Sequence, residues 1–379
     1  MRSICFALFL CQISGVSGAS LFQKIDEAAK SEMERQQIVG FAVGIIQENR
    51  IVYLKGYGWE DREKRVPVTR NTMFRWASIS KSLTALVAMQ LWEKGHLELD
   101  ADVRSYVPEF PDKGHKVTLR QLLSHQGGIV HYTNGPVIVT QRQYKQPNPF
   151  ENVLLALDTF KESPLVNVPG EKYSYTTHGF ILLSAALQRA GKEKFAHQVR
   201  DRIVTPLKME TLQPDYQWVE IPNRTIGYRK RQGKIVVSSN TDVSWKLAGG
   251  GYISNIGDLT KLGEGLLNGK LVKPKTLRLM WTPRKTSTGE QTSYGLGFRR
   301  WNYIGGKLQR TLALAADPDF KDKRILHLIG HSGSQQKTKT LLILEPSKKF
   351  GIALMSNSEQ TNTYEAAEVI LKAVISSKP

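Results

Sequence analysis

Cysteine is nearly absent from the 379 residues, and both copies, Cys5 and Cys11, fall within the first 20. That distribution excludes a disulfide framework, a thiol nucleophile and a Cys-based zinc site from the body of the chain. Long hydrophobic runs are scarce as well. The apolar stretch from Ile4 to about Ile13 is shorter than the roughly 20 residues a spanning helix needs, and no later stretch approaches that length. Acidic residues are under-supplied: 34 Asp+Glu against 53 Lys+Arg leave a net charge of +19, which favours anionic surroundings without choosing among wall polymers, anionic lipid and nucleic acid. What is present, 40% hydrophobic and 23% charged residues, is ordinary globular composition, enough for a sizeable core.

The first 20 residues read as a secretory leader. Arg2 precedes the apolar run, and Ser17, Gly18 and Ala19 supply small residues for a processing peptidase, so residues 1–18 are expected to direct export to the periplasm or medium. A lipid-anchored reading through Cys11 is disfavoured because Leu10 stands where a small residue is usual. The densest basic cluster, Arg229, Lys230, Arg231 and Lys234 around Gln232-Gly233, reads as a hairpin turn with a solvated face. No aromatic platform accompanies it, so no specific nucleic acid is expected, and anionic cell-envelope polymers are the surface partner the charge suggests.

A helical segment from Leu21 to about Gln37 precedes Phe41–Ile46, a polar turn and Ile51–Gly56, a β-hairpin pattern. A second hairpin, Thr340–Leu344 and Gly351–Met355, is followed by a helix over about 363–375. Between them lie helical patterns at Leu83–Leu91, after Tyr175 to Gly191, and from Asn255 to Gly269, where Asn255 and Asp258 have capping-pair spacing. These elements predict an α/β protein of the α+β type. A central antiparallel sheet is built from both termini and flanked by helices, in one domain over 19–379. Its sheet subdomain covers about 20–75 and 241–379, and a mainly helical insertion covers about 76–240.

The stretch Arg75-Trp-Ala-Ser-Ile-Ser-Lys-Ser-Leu-Thr84 holds Ser78 and Lys81 in the spacing S-x-x-K. Residues three apart share a helix face, so an amine can lie beside a hydroxyl, and free N–H groups at a helix start favour an oxyanion. A serine nucleophile with a neighbouring base fits that chemistry. One S-x-x-K is expected by accident in about this length of chain, so further elements are required. Two follow: Tyr175-Thr-Thr177 opening a helix, and His331-Ser-Gly-Ser334 entering the last hairpin.

In order and spacing, Ser78-x-x-Lys81, Tyr175-x-Thr177 and His331-Ser332-Gly333 resemble the three motifs of the serine penicillin-recognising enzymes, on the class C β-lactamase branch with its esterase and D-peptidase relatives. The blocks Leu122–Gly128, Ala248–Ser254 with Asp258, and Tyr294–Phe298 agree with that family, and Ala77–Thr84, Leu91–Gly95, Tyr106–Pro111, Trp245–Gly251 and Trp281-Thr-Pro283 are similar to those of the mitochondrial β-lactamase-like serine proteases and their bacterial homologues. The resemblance covers about residues 22–375. It implies Ser78 as nucleophile, Lys81 and Tyr175 sharing proton transfer, Ser78 and Ser334 N–H groups as the oxyanion hole, and Thr177, His331, Ser332, Gly333 and Ser334 contacting substrate.

Thr177 stands where Asn or Ser is usual, and His331 where Lys is standard in β-lactamases, so a carboxylate is held less firmly there. The expected activity is therefore an acyl-enzyme hydrolase of amides in peptides or peptidoglycan stems, or of small esters, without a cofactor. The alternatives are a β-lactamase or penicillin-binding D-alanyl-D-alanine carboxypeptidase, and a non-catalytic binding or filament-forming homologue; oligomers are compatible with each. Which of Lys81 and Tyr175 takes the serine proton stays open.

Other features read blandly. His327 and His331 are four apart without the partners of a metal site. His125 and His178 read as structural hydrogen-bonding residues, and Gly249–Gly251 as a close backbone approach at the cleft wall. Gly330-His-Ser-Gly-Ser334 lacks the final glycine of a G-x-S-x-G elbow. The loops His131–Pro149 and Asp317–Arg324 are expected to shape the pocket.

Overall fold

The computed structural model describes residues 16–311 and 325–375, with side chains from residue 21. The leader expected over 1–18 therefore falls largely outside the described residues, and so does the loop Asp317–Arg324. Among the described residues no helix is long and apolar enough to cross a membrane.

Eight strands form one sheet, in the order Lys307–Arg310, Arg299–Ile304, Leu326–Gln335, Thr338–Glu345, Phe350–Ser356, Gly40–Gln47, Arg50–Asp61 and Val66–Pro67. Every pairing is antiparallel. The two expected hairpins meet at its centre, where Phe41 lies opposite Ser356 and Ile45 opposite Ile352. The chain's two ends thus build one sheet, as the sequence predicts.

The strand period of two sends alternate residues to opposite layers. Phe41, Val43 and Ile45, with Leu341, Ile343, Ile352 and Leu354, pack under the first helix, Val16–Gln36, and the last, Thr363–Ile375. Ala42, Ile46, Leu342, Leu344, Ala353 and Met355 join a larger core on the other face with the helices Ser80–Glu93, His178–Ala190 and Ile256–Leu267. Each large apolar side chain buried this way contributes about 1.5–3 kcal/mol, so the central strands anchor both layers.

Of the expected caps, Asn255 accepts the Asp258 N–H at 2.9 Å. The Asp258 carboxylate does not return to the cap. It accepts from the N–H groups of Glu210, Thr211 and Leu212 at 3.0, 2.7 and 2.8 Å and from the Thr211 hydroxyl at 2.8 Å. Charge-assisted bonds of this kind fix the segment that leads to the short strand Gln213–Pro214. The basic cluster is a two-stranded hairpin, Tyr228–Arg231 with Lys234–Val237, whose turn residues Gln232 and Gly233 both have positive φ.

Candidate active site

Ser78 sits in a 3-10 turn, Ala77–Ile79, that runs directly into the helix Ser80–Glu93. The residue before it, Ala77, is in the left-handed region with φ 48°, a conformation an alanine adopts only when its surroundings impose it. Those surroundings are visible. Trp76 donates its backbone N–H to Tyr252 O at 2.8 Å and its indole N–H to Ser254 Oγ at 2.7 Å, while Thr340 and Thr338 donate hydroxyls to Trp76 O and Arg75 O, both at 2.9 Å. The strand Leu326–Gln335 closes the clamp through Gly333. A Cβ there would stand 2.3 Å from Trp76 O and 2.1 Å from Thr340 Oγ1, so only glycine permits this approach.

Lys81 is wholly buried, one helical turn beyond Ser78. Its Nζ lies 3.2 Å from Ser78 Oγ, 3.2 Å from Thr177 Oγ1 and 2.7 Å from Gly249 O. Burial, with the nearby charge of Lys246, holds its pKa well below the ordinary lysine range. A neutral amine has two N–H donors and one lone pair. Gly249 O and Thr177 Oγ1 can take the two donors, which leaves the lone pair for the Ser78 hydroxyl proton. Gly249 makes the close approach foreseen for the glycine run: a Cβ on it would meet Thr177 Cγ2 at 2.6 Å.

Tyr175 lies over the same amine, its ring centroid 4.9 Å from Lys81 Nζ. Burial raises the pKa of the phenol and the Ser78 side chain pulls it part of the way back. The two candidate proton carriers are thus pushed in opposite directions, the amine toward neutrality and the phenol toward its protonated form.

His331 belongs to an interior strand, yet its neighbour Arg299–Ile304 pairs only as far as Gly330, so residues 331–335 have one free edge, and it faces the nucleophile turn. The hairpin at Gln335 and Thr338 has a two-residue loop, whose flanking pair exchanges hydrogen bonds across it. By alternation Ser334 directs its N–H away from its partner strand, toward the free edge. Side chains alternate likewise: the Ser332 hydroxyl bonds Tyr364 at 2.7 Å and Ser334 Oγ accepts from Lys339 at 2.6 Å. His331 itself bonds Tyr294 OH through Nε2 at 2.8 Å and Ser332 O through Nδ1 at 2.7 Å. Burial, chiefly, and then the charge of Lys81 lower its pKa to about 3, so it is neutral near pH 7.

The structure thus brings Ser78, Lys81, Tyr175, Thr177 and Gly333 together and places His331 behind Tyr294. Thr177 is 2% exposed with its hydroxyl on Lys81, not turned outward to a ligand. Sequence reasoning flagged His125 and His178 as hydrogen-bonding residues but missed the roles of His131 and Arg299 in the shell around these groups. His125 accepts the Thr176 N–H at 3.1 Å and packs its ring on Tyr175, Tyr294 and Phe180; His131 accepts the Thr177 N–H at 3.2 Å. Arg299 donates to Tyr173 OH at 2.8 Å and Ser293 Oγ at 2.9 Å, the permanent cation on the His331 wall. The block Leu122–Gly128 was the signal for His125, and Tyr294–Phe298 the signal for its ring partner Tyr294. Among the described residues no cluster of His, Cys, Asp and Glu could hold a metal ion.

Residues 25–375 match the family model described as Beta-lactamase. The chain is 31% identical to the mitochondrial serine beta-lactamase-like protein LACTB of Homo sapiens, over 82% of this chain and 69% of that one. Its fold is similar to the octameric penicillin-binding protein homologue from Pyrococcus abyssi, with a TM-score of 0.73, 24% identity and coverage of 93% of this chain and 77% of that one. It is also similar to the D-amino acid amidase of Ochrobactrum anthropi SV3, with a TM-score of 0.75, 19% identity and coverage of 95% and 99%.

Proposed function

Because the chain belongs to the beta-lactamase family, we propose that it is an exported serine hydrolase that acts through a Ser78 acyl-enzyme on amide bonds, in peptides or peptidoglycan stems, or on small esters. The observation that carries the reading is the buried Lys81 amine on Ser78 Oγ with its other contacts on Gly249 O and Thr177. In the first step Lys81 takes the Ser78 proton as Oγ attacks the carbonyl carbon. The N–H groups of Ser78 and Ser334 receive the oxyanion. Tyr175, kept protonated by burial, hands a proton to the departing amine or alkoxide and recovers one from Lys81. Water then attacks the acyl-enzyme by the same route in reverse, returning Ser78.

A peptidase or esterase is favoured over a β-lactamase by His331. A neutral imidazole already bonded on both nitrogens offers no charge to the carboxylate that a β-lactam presents.

The test is the pH dependence of kcat/KM for a nitrophenyl ester and a peptide amide. Activity should rise as Lys81 loses its proton, with the limb below the ordinary lysine range because the folded pKa is depressed. Lys81→Met should cost about 10²–10⁴-fold, the usual worth of a general base. A limb at the ordinary lysine value, or a Lys81→Met variant within tenfold of wild type, would sink the assignment.

A further inference from the structure

A second lysine stands at this site without a counter-ion. Lys246, in the turn Ser244–Lys246 three residues before Gly249, is 8% exposed, and its ammonium makes no hydrogen bond or ion pair among the described residues. The carboxylates around it make their hydrogen bonds and ion pairs elsewhere, and Asp242 acts on it only at longer range. Asp242 accepts from the Ser244 N–H at 2.9 Å and the Ser244 hydroxyl at 2.7 Å. Asp215 is held by Arg75 and Arg224. The Lys246 side chain is nine-tenths buried beside Trp245, and a carboxylate on a ligand would give its ammonium the ion pair that the described residues do not.

The position of Lys246 says where that ligand lies. Its Nζ is 5.6 Å from the Trp245 ring; that ring stands 5.8 Å from His178, which is 6.4 Å from His131, itself 5.9 Å from Tyr175. The charge of Lys246 acts on both Lys81 and His131, and that of Arg299 acts on His331. Lys246 therefore belongs to the Thr177–Gly249 wall, across Ser78 from the strand that carries His331.

We propose that Lys246 is a specificity-determining residue that binds a carboxylate on the acyl side of the substrate. The proposal rests on the Ser78 hydrolase reading and names its substrate class: acyl groups ending in an anion. A single ammonium beside an aromatic face suits a monoanion, and Arg75, the next cation, is engaged by Asp215 and Thr241 O. Burial and Arg75 lower the Lys246 pKa to about 8, which leaves it mostly charged at pH 7.

The experiment compares kcat/KM for the 4-nitrophenyl monoester of glutarate with that for 4-nitrophenyl valerate, a pair differing at the acyl terminus. Their ratio cancels any effect Lys246 has through Lys81, because that effect is common to both. The ratio should fall at least about tenfold in Lys246→Met, the size of a lost charge pair, and stay within about threefold of wild type in Lys246→Arg. An unchanged ratio in Lys246→Met, with both esters shifted together and the pH limb moved, would assign Lys246 to tuning Lys81 and overturn the proposal. If wild-type protein turns over neither ester, the hydrolase reading beneath it fails instead.

Discussion

Four imidazoles gather around Tyr175, and burial decides the state of each. His131 and His331 have pKa values lowered to about 3, His178 to about 4, and His125 is held well below the ordinary histidine value. All four are neutral near pH 7, where their nitrogens serve as acceptors and donors within the shell: His125 and His131 accept backbone N–H groups and His178 bonds Val130 O at 3.0 Å. The linkage has one sign. Below the unfolded pKa near 6.5 the unfolded chain takes up protons that the folded chain refuses, so stability present above that pH is lost as pH falls toward 3 to 4. Urea titrations from pH 7 to pH 4 should therefore show a falling midpoint, and a His178→Phe variant, which keeps the stack on Phe160, should flatten the fall. A midpoint that holds steady down to pH 4 would contradict buried neutral imidazoles. Only part of this was legible beforehand: His125 and His178 read correctly as hydrogen-bonding residues, but the surroundings the four share depend on contacts between segments far apart in the chain. Thr177 was visible as a departure from the family pattern, while the turn of its hydroxyl onto Lys81 was set by packing against Gly249.

At the scale of elements, the nucleophile turn and the strand Leu326–Gln335 form one device. The turn holds Ala77 at positive φ, and the strand supplies the glycine and the two threonine anchors come from its hairpin partner. Gly333→Ala would push a methyl into Trp76 O and Thr340 Oγ1, so the strand must retreat from Ser78 or the turn must open. Overpacking of this sort costs about 1–3 kcal/mol in stability. The loss of activity should exceed what that destabilisation explains, because a 1 Å displacement of an oxyanion donor is worth about 10²-fold. Thermal unfolding and kcat measured together check this, and a variant that is destabilised yet fully active would separate the strand from the chemistry. The hairpins were readable from apolar runs bounded by polar turns, and the final helix from its apolar pattern. The left-handed Ala77 was not, since alanine carries no signal for that conformation and the strain is imposed by partners more than 170 residues away in sequence.

For the whole molecule, the sheet built from both termini has a functional meaning. It carries the strand that flanks Ser78 on one side, while the helices on its larger core carry Lys81 and Thr177 on the other. Lys81, Lys246 and Arg299 stand at or beside the site with no carboxylate pairing any of them among the described residues, which fits a chain with 53 basic and 34 acidic residues. The excess was legible at once, but the place where it acts was not, because a lysine between Trp245 and Leu247 reads as surface until the fold buries it. The central claim is that this positive, clamped site exists to acylate Ser78. It is tested most directly by the intact mass of the protein after treatment with a fluorophosphonate, and separately with penicillin, beside a Ser78→Ala variant. The account predicts one fluorophosphonate adduct that is absent from Ser78→Ala, and no long-lived penicillin adduct. Folded wild-type protein that gains no mass, or a Ser78→Ala variant that still does, would contradict it.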